Sequence, residues 1–181
     1  MITKDRKVAV FCAGFMIIFL VWLLAFAGNL SSFSMLRYAI LIVLSYTAMV
    51  FDINTKRIPN TLILIMLTGW FLLIMPMISY DITSGLRLLA DSIYGFLIGG
   101  GLFLLVYVVS RKGLGGGDVK FMAAAGLYLG FAETVPVILY GTVLAALTGI
   151  ILLAIRKIGR KETMPLVPFL FAGIMITIFT H

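Results

Sequence analysis

The stretch GLGGGDVK, Gly113 to Lys120, decides the reading of this chain. It places four glycines, one aspartate and one lysine between two long apolar runs. Glycine has no Cβ, so a glycine run lets the backbone turn sharply and lie close to another chain. A carboxylate at the edge of such apolar runs is expensive, and an ionisable group in that setting reads as functional. Asp118 is therefore the first candidate. Its expected mate is Asp52, in FDINTKRIPN, Phe51 to Asn60.

Composition sets the class. Of 181 residues, 62% are apolar and 12% charged, against about half and a quarter in a soluble domain. The chain reads as an all-α integral membrane protein, a polytopic bundle of six to seven transmembrane helices. A spanning helix needs about 20 apolar residues. The expected spans are Val8–Gly28, Phe33–Phe51, Thr61–Ser79, Leu86–Ser110, Val119–Phe131, Thr134–Ile155 and Met164–Thr180. The fifth is short, so six spans result if it is re-entrant. The first is too long for a signal-peptide core and is read as a retained helix. One domain is expected, with 1–32 as an extra N-terminal helix and 33–181 as the core.

The net charge of +7 reads as topology. With a cytoplasmic N-terminus, Lys4, Arg6, Lys7, Lys56, Arg57, Arg111, Lys112, Lys120 and the Arg156–Lys161 cluster fall on the cytoplasmic side. Only Arg37 and Arg87 fall near the other. This positive-inside bias sets the orientation in the cytoplasmic membrane and puts Asp52 and Asp118 at one face. Basic residues scattered between spans do not make a nucleic-acid module. The single cysteine, Cys12, excludes an internal disulfide and a CxxC zinc pair. Neither a cofactor nor a metal is expected. Gly95 with Gly99, and Gly126 with Gly130, form GxxxG pairs suited to close helix packing.

The remaining carboxylates have plainer explanations. Asp5 and Glu162 lie among basic residues. Asp81 and Glu133 fall in outer turns and read as solvated. Asp91 follows Arg87 by four residues, as in a helical ion pair. Around Asp52, Pro59 suits a helix start and Asn60 reads as the N-cap of the next span.

The two stretches together resemble the type IV prepilin peptidases, intramembrane aspartyl proteases of the GxGD class. The resemblance rests on Asp52 with Ile58, Pro59 and Asn60, and on Gly115, Gly116, Gly117, Asp118 and Lys120. MPLVPFLFAG, Met164 to Gly173, is similar to the proline-containing last helix of that family. The resemblance implies catalysis by Asp52 and Asp118 and removal of the basic leader of pilin-like precursors at the cytoplasmic face. It implies Gly115, Gly116, Gly117 and Lys120 at the substrate loop. Larger members also methylate the new terminus through a domain with paired cysteines. This sequence has no such insertion, so the stand-alone peptidase form is expected. The partners expected are pilin-like precursors and membrane lipid, without nucleic acid; a homo-oligomer is compatible with the sequence.

Hydrolysis by two aspartates needs one charged and one protonated, and two close carboxylates share a proton. Asp118 at a helix N-terminus with Lys120 nearby, and Asp52 at a helix C-terminus, make Asp118 the expected base and Asp52 the acid. Lys56 and Arg57 reverse this if they fold back on Asp52. A magnesium-dependent polyprenyl-phosphate transferase also places aspartates at this face, and EDTA would abolish its activity. A transporter would put ionisable groups near mid-membrane and show internal symmetry, and neither is seen.

Overall fold

The computed structural model describes residues 32–110, 113–155 and 164–180. The expected first span, its Cys12, and the 111–112 and 156–163 basic residues lie outside the described residues. The described chain is helical: α1 (Ser32–Thr55), α2 (Asn60–Tyr80), α3 (Ile82–Val109), α4 (Gly116–Ala154) and α5 (Val167–Thr180). α1 to α4 are each long and apolar enough to cross a membrane. Large apolar side chains such as Leu72, Leu105 and Ile150 are more than half exposed. Helices apolar on their outer faces as well as their inner ones are built for lipid.

The expected fifth and sixth spans form one element, α4, with a break inside it. Gly130 has φ 74 and ψ −175, a conformation closed to residues with a side chain. The chain reverses there without a loop. A Cβ added at Gly99 would meet Met122, before the break, and Thr134, after it. The two arms of α4 therefore run back past the same point of α3. The first arm is about 22 Å long, from Gly116 to Gly130.

The glycine pairs make this geometry possible. A Cβ added at Gly95 would lie 2.2 Å from the Gly126 carbonyl oxygen, and one added at Gly126 would lie 2.2 Å from that of Gly95. Lipid offers no hydrophobic drive between helices, so the backbones must touch for dispersion to hold them. Asp91 completes the joint. Its Oδ1 accepts a hydrogen bond from the Phe131 N–H at 3.0 Å, one of the donors that the start of the second arm leaves without a helical partner. This corrects the expected Asp91–Arg87 pairing: the reversal creates a stronger need for the carboxylate.

The core lies between α1, α2, the first arm of α4 and α5. Tyr128, Phe121, Leu41, Ile42, Met66 and Leu170 are fully buried in it. The Tyr128 hydroxyl donates to the Met66 carbonyl at 2.6 Å.

Glu133 is not a solvated outer-turn charge. It is 8% exposed and accepts a short hydrogen bond from the Tyr38 hydroxyl of α1. Arg37 stands 3.9 Å from the same carboxylate oxygen. With no loop at the reversal, Glu133 falls in the first turn of the second arm and faces α1.

Candidate active site

At the other end of α1, Asp52 lies in the last turn and is 5% exposed. Its Oδ2 accepts from the Val167 N–H at 3.0 Å, and the Leu166 main chain also hydrogen-bonds to it. These are the first amides of α5. Pro165 and Pro168 flank them; Pro168 has no N–H and suits a helix start. The free amides of this helix end supply donors to a carboxylate.

Asp118 lies in the first turn of α4 and is half-buried. The helix begins earlier than the expected Val119: Gly115 is the N-cap, with φ −72 and ψ 136, and Gly116 and Gly117 are already helical. The glycine run is therefore a cap and a first turn rather than an extended loop. The Asp118 carboxylate reaches back to the Gly115 main chain. Asp118 also stands within electrostatic reach of Asp52, so the two carboxylates share one corner of the bundle.

The IPN segment closes against this corner. After Asp52, the chain turns at Lys56, whose φ of 52 is left-handed and whose N–H bonds to the Asp52 carbonyl at 2.8 Å. A Cβ added at Gly117 would lie 3.3 Å from the Ile58 Cβ. Pro59, with φ −67 and ψ 136, is the N-cap of α2 and makes no side-chain cap. Asn60 is not the cap that its residue type predicts. It is the first helical residue, and its Oδ1 accepts from Lys120 Nζ at 2.9 Å. The pull of Lys120 from across the site replaces a local cap. Gly116 is exposed, with no atom within 4 Å of an added Cβ.

Two arguments for the acid and base assignment change here. Asp52 sits against the N-terminus of α5 as well as the C-terminus of α1, so helix ends no longer separate it from Asp118. Lys56 lies close enough for its charge to act on Asp52. Sequence reasoning missed the role of the Leu166 and Val167 amides, although the proline-flanked segment was in view.

A multi-pass helical bundle that gathers two aspartates at one end, each beside a helix N-terminus, defines a class: helical membrane proteins with a pair of neighbouring carboxylates. Comparison with known proteins narrows it. The Type IV leader peptidase family matches residues 38–150, a range holding both aspartates, the IPN segment and the Gly130 reversal. The chain belongs to the type IV leader peptidase family. It is 33% identical over 140 residues to a prepilin leader peptidase/N-methyltransferase of Escherichia coli (strain K12), covering 73% of this chain and 57% of that protein. A protein of the same name from Bacillus subtilis (strain 168) is 28% identical over 128 residues, 67% of this chain and 46% of the relative. One from Aeromonas hydrophila is 27% identical over 124 residues, 66% and 40%. The chain thus spans about half the length of the curated relatives it matches. No solved structure matches it.

Proposed function

We propose that this protein is an intramembrane aspartic endopeptidase that removes the basic leader of pilin-like precursors at the cytoplasmic membrane face. The observation that carries the reading is that Asp118 lies within electrostatic reach of Asp52. The family and the names of the relatives support the substrate class. In the reaction, the ionised carboxylate takes a proton from water, and the water oxygen attacks the scissile carbonyl. The protonated carboxyl hydrogen-bonds the carbonyl oxygen as it gains charge. The tetrahedral intermediate collapses with proton transfer to the leaving amine, and the dyad is regenerated. The N-terminus lies in the cytoplasm by the positive-inside bias, and the dyad opens to the same side. The proposal covers peptide cleavage and not methyl transfer.

The test is co-expression with candidate pilin precursors, read as a size shift on a gel. The wild-type chain should shorten the precursor, in EDTA as well as without it. Asp52→Asn and Asp118→Asn should each cut the rate by at least about a hundredfold while the protein still inserts. Asp91→Asn, which keeps an acceptor for Phe131, should cleave normally. Substantial activity in Asp52→Asn would end the dyad reading, and loss of activity in EDTA would favour the magnesium-dependent transferase.

A further inference from the structure

The end of the bundle away from Asp52 and Asp118 holds a second ionisable cluster. Arg37 and Tyr38 on α1 and Glu133 at the start of the second arm of α4 are all buried. Arg37 Nη2 donates to the Tyr38 hydroxyl at 3.1 Å, Tyr38 donates to Glu133 Oε1, and Arg37 and Glu133 are 3.9 Å apart. The guanidinium also stands 4.9 Å from the centre of the Tyr38 ring. Ionisable groups in a membrane bundle are costly, and hydrolysis at the far end has no use for these.

Their placement gives the use. Tyr38 and Asp52 are about 21 Å apart along α1. Asp118 and Gly130 are about 18 Å apart along the first arm of α4, and Glu133 follows within a turn. The cluster thus joins the helix carrying Asp52 to the element carrying Asp118, roughly 20 Å from both. Between apolar helices in lipid there is no hydrophobic drive to favour one register, and packing alone has to select it. A buried polar pair has one partner position only, and fixing register is its best-attested use.

We propose that Arg37, Tyr38 and Glu133 are positioning residues that set the axial register of α1 against α4, and so the depth at which Asp52 meets Asp118. The consequence for catalysis rests on the peptidase reading above; the register itself does not. Losing the cluster allows α1 to move by a helical turn, about 5.4 Å. The Asp52 bonds to Val167 and Leu166, with the apolar packing around Met49, then have to hold α1 at the catalytic end.

The test uses the full chain with Cys12→Ser, and spin labels at Ile53→Cys and Gly116→Cys. Both positions are exposed near the dyad, one on each element. The distance between the labels is measured by pulsed electron resonance, and cleavage is measured in the unlabelled chains. Glu133→Leu should shift or broaden the distance by up to about 5 Å. It should lower kcat at least about tenfold, with KM changing by less than about twofold. Glu133→Gln, which still accepts from Tyr38, should restore both. The double variant Arg37→Leu with Glu133→Leu removes both charges of the pair together. It should assemble even where the single variant does not, and should show the same loosened distance. A wild-type distance in the folded double variant would overturn the proposal. If the wild-type chain cleaves no precursor, the peptidase reading falls, and the distance still decides the register.

Discussion

Lys120 Nζ donates to Asn60 Oδ1 at 2.9 Å, so the end of the IPN motif and the residue two places past Asp118 act as one unit. The hydrogen bond holds the ammonium, two residues past Asp118 in the chain, at the start of α2. The resemblance implies a basic leader, which gains nothing from basic loops; an acidic residue just past the cut is what Lys120 would meet. Lys120→Ala should slow cleavage of a precursor with a glutamate near its new N-terminus and leave a precursor lacking it unaffected. Asn60→Ala should give the same pattern more weakly, by releasing the ammonium. A sheltered charged contact is worth roughly 1.5–3 kcal/mol, and a double-mutant cycle over enzyme and precursor measures it. Zero coupling would leave Lys120 as a topology signal.

Gly117 stands against Ile58, where an added Cβ would already be tight at 3.3 Å. The γ-methyls of valine have no room unless the IPN segment moves off α4. Gly117→Val should therefore abolish cleavage while the protein still accumulates in the membrane. Gly101→Ala is the control, since its added Cβ meets nothing within 4 Å; it should behave as wild type. Normal cleavage by Gly117→Val would show that the contact is dispensable.

Val167 gives its N–H to Asp52 and its side chain to the core, and two substitutions separate these roles. Val167→Ala keeps the N–H and loses packing, so it should lower thermal stability with kcat largely kept. Val167→Pro removes the N–H at a position where a helix start accepts proline. It should lower kcat by at least about tenfold, the scale of a misplaced catalytic group. Equal kcat in the two variants would reduce the amide to a structural cap.

Asp81 joins α2 to α3. Its carboxylate accepts from the Ser84 hydroxyl at 2.5 Å and from the Thr83 N–H at 3.0 Å. These bonds hold it below the usual carboxylate range, Ser84 first and Thr83 next. The sign follows from linkage: a carboxyl lowered in the folded state adds stability above its unfolded value and loses it as pH falls through the folded one. Asp81→Ala should lower the melting temperature in detergent at pH 7, and by less at a pH below the usual carboxylate range. An equal loss at both values would assign the effect to packing.

Much of the site was legible because its parts are punctuated. Asp52 and Asp118 close or open apolar runs, and proline and glycine mark the chain beside each. Gly95 with Gly99 and Gly126 with Gly130 were legible as small-residue faces, though not that Gly95 meets Gly126. What the sequence hid traces mostly to one residue. AE at 132–133 reads as an outer loop, but Gly130 reverses the chain inside one element, which buries Glu133 and turns Asp91 toward Phe131. Nothing local marks a single glycine as a reversal rather than a packing position, since Gly126, four residues earlier, is only the latter. Asn60 and Val167 were hidden for another reason: their partners are 60 and 115 residues away in the chain.

The Gly130 joint also bears on how the protein enters the bilayer. The arm that carries Asp118 is about 22 Å long, short of the roughly 30 Å hydrocarbon thickness, and it ends with no loop to rest in the far aqueous phase. Such a segment is a poor substrate for insertion alone. Its natural unit of delivery is the hairpin, both arms leaving the translocon together with Gly130 at the leading tip. Translation would then have to pass Ala154 before Asp118 could settle at the membrane face, so the nascent chain would gain its second carboxylate late.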